Sequence, residues 1–142
     1  MTKSSRPRWE HFPHQADIGI RGIGATLGQA FSQAGKALTA VVTGAEIIPG
    51  RGITFKLEAA DRDTLFYDWI NQVIYLMAVE KMLFGMFEVQ ISGTTLTSII
   101  WGETIDRSRH QPVVEVKAAT FTELAVNQLA GGEWQAQCVV DV

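Results

Sequence analysis

Cys138 is the only thiol in this 142-residue chain, so neither an internal disulfide nor a multi-thiolate zinc site can form. Twelve basic side chains against fifteen acidic ones leave a formal charge of −3. With both signs interspersed there is no basic footprint for strong direct binding of nucleic acid. No apolar segment follows the charged opening MTKSSRPRWE, which therefore does not read as a secretory signal. The most apolar helical stretch, 69–79, is interrupted by Asn71 and Gln72 and falls short of the roughly 20 apolar residues that a membrane span needs. These absences predict a cytoplasmic protein with no membrane role. A Walker loop, a nucleophile elbow, a dinucleotide glycine pattern and a serine–histidine pairing are missing too, and Gly22-Ile23-Gly24 is only a loop signal. Nothing argues for a self-contained enzyme.

The length fits one domain, 1–142, with residues 1–8 expected as a loose lead-in. Ile18 and Ile20 alternate with Asp17, Gly19 and Arg21, which predicts a half-buried strand over 17–23. Thr26 followed three positions later by Gln29 has the form of a capping box. Leu27, Phe31, Ala34, Leu38 and Val41 then recur at helical spacing, predicting an amphipathic helix that ends near Gly44. Gly35 inside it costs about 1 kcal/mol relative to alanine, so a close packing contact is expected there. Ile53, Phe55 and Leu57 alternate as a second strand. Asp61 or Asp63 caps a second helix whose rows Leu65, Trp69, Val73, Leu76 and Phe66, Ile70, Ile74, Met77 mark it as the central buried one. Beyond Phe84 the pattern is strand-rich: a hairpin turning near Gly93, then a second hairpin pairing 114–118 with 134–141 around Gly131-Gly132. The expected class is α+β, two main helices packed on a mostly antiparallel sheet.

Val140-Asp141-Val142 closes a strand-like run with a side-chain carboxylate next to a main-chain carboxylate. Together these are hard oxygen donors of the kind Ca²⁺ or Mg²⁺ selects. If that run pairs antiparallel with the strand opening at Asp17, the start of one meets the end of the other, and Asp17 comes beside Asp141. Alternation puts Asp17, Lys117 and Asp141 each on the side opposite its strand's apolar residues. Each also reads as an ordinary solvated residue, Lys117 most of all. His11, His14 and Asp17 recur at spacings of three, but in a strand or loop this puts no three side chains on one face, and HExxH is absent. His11 reads as a structural group beside a turn proline, whereas His14 is near enough to orient Asp17 as a donor. Glu103, Asp106 and His110 form an acidic-then-histidine stretch that lines either the same edge or a solvated loop.

In order and spacing, HFPHQADIGIRGIG, TLGQAFSQAGKAL, DTLFYDWINQVIYL, the WGE of 101–103, His110 followed by EVKAAT, and the terminal VVDV resemble the archease family, small accessory proteins of RtcB-type RNA ligases. The resemblance runs nearly end to end. It implies that Asp17, Asp141 and the carboxylate of Val142 bind a divalent metal, Ca²⁺ foremost, with Mg²⁺ or Mn²⁺ as alternatives. It further implies that the protein promotes guanylylation of the ligase histidine and multiple turnover in tRNA splicing or RNA repair, and widens the nucleotides accepted, while bond formation stays with the ligase. Lys117 and His14 match positions that support activation.

Gln15 and Phe121 depart from the Thr and Tyr usual in the family, each removing a hydroxyl. Two other classes of function remain: a metal-dependent phosphoester hydrolase built on Asp17, Asp141 and His14, and a general protein-binding or chaperone-like module indifferent to Asp141.

Overall fold

The computed structural model describes residues 6–142, and most of the expected lead-in, residues 1–5, lies outside them. Strand β1 already opens at Arg8 (Arg8–His14) and turns through Gln15 and Ala16 into β2 (Asp17–Gly24). Gln15 holds a left-handed φ of 53° to make that tight turn. Helix α1 (Leu27–Val42) starts where the capping box placed it. The Thr26 hydroxyl accepts from the Gln29 N–H at 3.1 Å, while the Gln29 side chain reaches back to the N–H of Ala25 at 2.9 Å. At its other end Thr43 is the cap.

Strand β3 (Arg51–Glu58) leads to α2 (Arg62–Glu80), capped by Asp61, which accepts from Thr64 N–H at 2.8 Å. Asp63, the other candidate cap, instead accepts from Val126 N–H at 2.9 Å and ties the helix to a distant strand. Strands β4 (Met82–Ser92) and β5 (Thr95–Thr104) form the expected hairpin, with Gly93 at φ 63° in the turn. A short helix α3 (Arg107–His110) follows, then β6 (Ala118–Ala119), β7 (Ala125–Gln128) and β8 (Trp134–Asp141).

The strands divide into two antiparallel sheets. One runs β1-β2-β8-β6 with β7 also on β8, and the other runs β3-β5-β4. Between them sits the core, with Phe31, Phe66, Trp69, Phe84 and Ile100 fully buried. Phe31 and Trp69 meet at a 6.0 Å centroid distance, and Trp69 crosses Phe87 edge-on at 5.8 Å. A Cβ at Gly35 would sit 2.8 Å from Trp69 and 3.0 Å from Phe87, which is the close contact its place in the helix implied.

The second hairpin differs from expectation. β8 turns back through Gly132 (φ 94°) onto β7, and 112–117 is irregular rather than a strand; only Ala118 and Ala119 pair, with Asp141 and Val140. The five-residue loop from β7 closes at lower entropic cost than one from residue 118 would, and β7 and β6 share the same side of β8 in succession. Because β8 lies between strands and is covered on both faces, Gln137 and Val139 are buried although alternation marked one face of this strand as wet.

Candidate functional site: an acidic corner where β2 and β8 meet

The antiparallel register of β2 and β8 sets Ile18 against Val140, so one step further Asp17 lies across from Asp141. Residues directly opposite in neighbouring strands point to the same face. On its other side Asp17 is opposite His14 in the β1–β2 register, and Asp141 is opposite Ala118. One row across the end of the sheet therefore reads His14, Asp17, Asp141, Ala118. The two aspartates are 124 positions apart in the chain and are brought together by strand pairing alone.

Lys117 joins the corner through the main chain: its N–H donates to the Asp141 carbonyl at 2.8 Å, and its side chain is exposed. The alternation argument for Lys117 and Asp141 does not apply, since 112–117 is not a strand and Ala118 occupies the position opposite Asp141. The Val142 side chain, just past the end of β8, packs on the core. His11, on the opposite face from His14, has its Nε2 2.8 Å from the Ala37 carbonyl and is a structural group. The two histidines therefore do not converge.

Among the described residues the ion pairs are Arg8–Glu133, Arg21–Glu10, Arg51–Glu80 and Arg109–Glu103, with His110 facing Glu103, so none engages Asp17, Asp141 or Lys117. Arg21 lies on the same face of β2 as Asp17. It is committed instead to Glu10 at 2.6 Å, Gln137 at 2.8 Å and the Phe12 ring, 4.6 Å from its guanidinium carbon.

Two side-chain carboxylates on one face are hard oxygen donors of the kind an oxygen-ligated cation takes. No three His, Cys, Asp or Glu side chains come together among the described residues.

Glu103, Asp106 and His110 are occupied elsewhere. Glu103 accepts from Ile48 N–H at 2.6 Å and pairs with Arg109. The Ile48 N–H, then His110 and Arg109, hold its carboxyl below the usual range. His110 is 2% exposed; its Nδ1 accepts from Asp106 N–H at 2.8 Å, and its Nε2 lies 3.1 Å from Glu103. Its alignment on Glu103 falls short of a hydrogen bond. The group is an internal clasp between α3, β5 and the loop after α1.

Asn71, which sequence reading treated only as an interruption of an apolar stripe, positions the corner from behind. Its Oδ1 accepts from Ala119 N–H at 2.9 Å, pinning β6 to α2. A half-buried polar residue interrupting the apolar stretch 69–79 was the available signal.

A profile of the Archease protein family matches residues 9–142. The chain belongs to the archease family. It is 36% identical over 140 residues to the protein archease of Pyrococcus furiosus, covering 95% of this chain and 99% of that one. A similar protein from Aeropyrum pernix is 32% identical over 140 residues, covering 94% and 96%. Protein 1598 of Methanobacterium thermoautotrophicum, solved in solution, superimposes with a TM-score of 0.82 at 28% identity, covering 94% of this chain and 98% of that one. An archease from Thermotoga maritima, described as a possible chaperone, shares the fold at a TM-score of 0.61 and 14% identity, over 94% and 96% of the two chains. The α+β fold is thus the family's own. No helix among the described residues is long and apolar enough to cross a membrane.

Proposed function

We propose that this protein is an accessory activator of an RtcB-type RNA ligase in tRNA splicing or RNA repair. In this reading the acidic corner docks near the ligase's nucleotide site and favours the arrangement in which the ligase histidine is guanylylated. The observation that carries it is the register that sets Asp17 against Asp141, neither of which is engaged by an ion pair among the described residues. Asp17, Asp141 and the Val142 carboxylate would hold a divalent ion, Ca²⁺ or alternatively Mg²⁺ or Mn²⁺. That ion supplies charge neutralisation, letting an acidic surface approach a triphosphate. Lys117, fixed beside Asp141 by its main chain, adds a mobile positive charge; His14, opposite Asp17, orients that carboxylate.

The test is multiple-turnover ligation of 2′,3′-cyclic-phosphate RNA by such a ligase, alone, with this protein, and with an Asp141→Ala variant lacking Val142. Stimulation by the native chain only is expected. Hydrolysis of phosphoesters by this protein alone would favour a hydrolase. Equal rescue of unrelated unfolding clients by native and Asp141→Ala protein would favour a chaperone-like module.

A further inference from the structure

Behind the acidic corner lies an apolar groove of about 690 Å³, within the usual size range of ligand pockets. Its walls are Met77 at the end of α2, Leu83 of β4, Ile105 after β5, and Val113, Val114 and Val116 of the irregular strap 112–117. The strap is held at its two ends, by Val113 N–H on the Val42 carbonyl at 2.8 Å and by Lys117 N–H on Asp141. Val113 is nevertheless 75% exposed. Val113 and its neighbour Val114, both exposed, leave adjoining aliphatic surface in solvent at the mouth of an aliphatic groove, and it is such joined apolar surface that marks a contact site.

Charge decides what the surface suits. Lys81 and Arg107, from two different elements, both line the groove, and among the described residues neither takes part in an ion pair. Lys81 sits at the C-terminal end of α2 and complements that helix's dipole; Arg107 has no comparable long-helix partner. Glu115 is the one acid in the lining. The groove therefore presents aliphatic walls with a net positive rim, immediately next to a corner that is net negative. Val116 forms the groove wall and Lys117, the next residue, is bonded to Asp141, so anything seated in the groove is held beside the corner.

Resting on the ligase-activator reading above, we propose that this groove is the anchoring site for the partner ligase, taking an extended segment that carries aliphatic side chains flanked by an Asp or Glu. The aliphatic side chains bury against Met77, Leu83 and Val113, and the carboxylate bridges Lys81 and Arg107. Anchoring here sets where the corner meets the ligase; affinity and activation are thereby divided between two adjoining surfaces.

The experiment is calorimetric titration of full-length RtcB-type ligase with the native chain, a Lys81→Glu/Arg107→Glu variant and Val113→Asp, at low and high salt, with multiple-turnover ligation in parallel. All three sites are exposed, and circular dichroism with urea unfolding verifies that each variant folds. Each variant should bind about tenfold more weakly, recover full stimulation at saturating concentration, and, for the charge reversal, lose the salt dependence of the native chain. Unchanged affinity in both variants, with Asp141→Asn still abolishing stimulation, would overturn the groove and leave the activator reading standing. A native chain that neither binds nor stimulates such a ligase would overturn both. A native dimer dispersed by the same substitutions would assign the groove to a second copy of the chain and overturn the proposal.

Discussion

Replacing Asp141 with Asn removes one charge at the corner with almost no change in shape, and the consequence has opposite signs with and without a divalent ion. Side chains directly opposite on neighbouring strands have Cβ atoms roughly 5 Å apart. Two carboxylates at about that distance in a water-like dielectric repel by about 0.8 kcal/mol, halved by physiological salt. In chelator, Asp141→Asn should therefore be more stable than the native chain, by about 0.4 kcal/mol. With Ca²⁺ at a hundred times its dissociation constant, the native chain should gain about 2.7 kcal/mol. For a domain of this size that is a rise of roughly 10 °C in Tm. The variant should gain almost none of it. Differential scanning calorimetry of both proteins, each in chelator and in Ca²⁺, reads all four numbers. A variant more than about 1 kcal/mol less stable than native in chelator would mean that Asp141 is a structural hydrogen-bonding group. An equal Ca²⁺ shift in both proteins would place the ion elsewhere. Either result refutes the assignment of the corner.

Gly35→Ala gains about 1 kcal/mol of helix propensity but drives a methyl group into Trp69 and Phe87, an overpacking cost of about 1–3 kcal/mol, so net destabilisation is expected by urea unfolding. Asn71→Ala strands the buried N–H of Ala119, and should cost about 1–3 kcal/mol and speed amide exchange at Ala118 and Ala119 before the core opens. Glu103 has a folded pKa below its unfolded one, so its stabilisation is full above the unfolded value and disappears as pH falls through the folded value. Glu103→Gln should accordingly flatten the acid limb of a pH–stability profile while leaving its slope above pH 6 unchanged. Burial pushes the Cys138 thiol up to about 12, so it should resist a thiol reagent at pH 8 in the folded protein and react at once in denaturant.

Local signals proved most legible where a single residue type answers a single backbone demand. Thr26 and Gln29 marked the start of α1, the pair Asp61 and Asp63 that of α2, where Asp61 is the cap, and Gly93 the β4–β5 turn, because an orphan N–H or a positive φ leaves few chemical choices. The pairing of 17 with 141 was legible for a different reason: both runs alternate cleanly and carry an acid at the end that antiparallel pairing brings together. The strap 112–117 was misread because Val114, Val116 and Ala118 alternate as well as any strand. Alternation records which side chains face apolar surroundings, and here an irregular segment lies along a groove between α2 and β4. The division into two sheets was equally hidden, since it depends on α1 lying between them: the Ser32 and Thr39 hydroxyls donate to the Phe87 and Phe84 carbonyls on one side, and Gly22 packs against the helix on the other. No periodicity within one segment encodes that sandwiching.

The register that joins β2 to β8 also has a meaning in time. Asp17 leaves a ribosome early and Asp141 among the last residues of this sequence, and no shorter-range contact can stand in for their pairing. A nascent chain therefore carries half of the acidic corner until β8 docks. The paired acids exist only once β8 has docked on β2, so the corner registers the completion of that sheet.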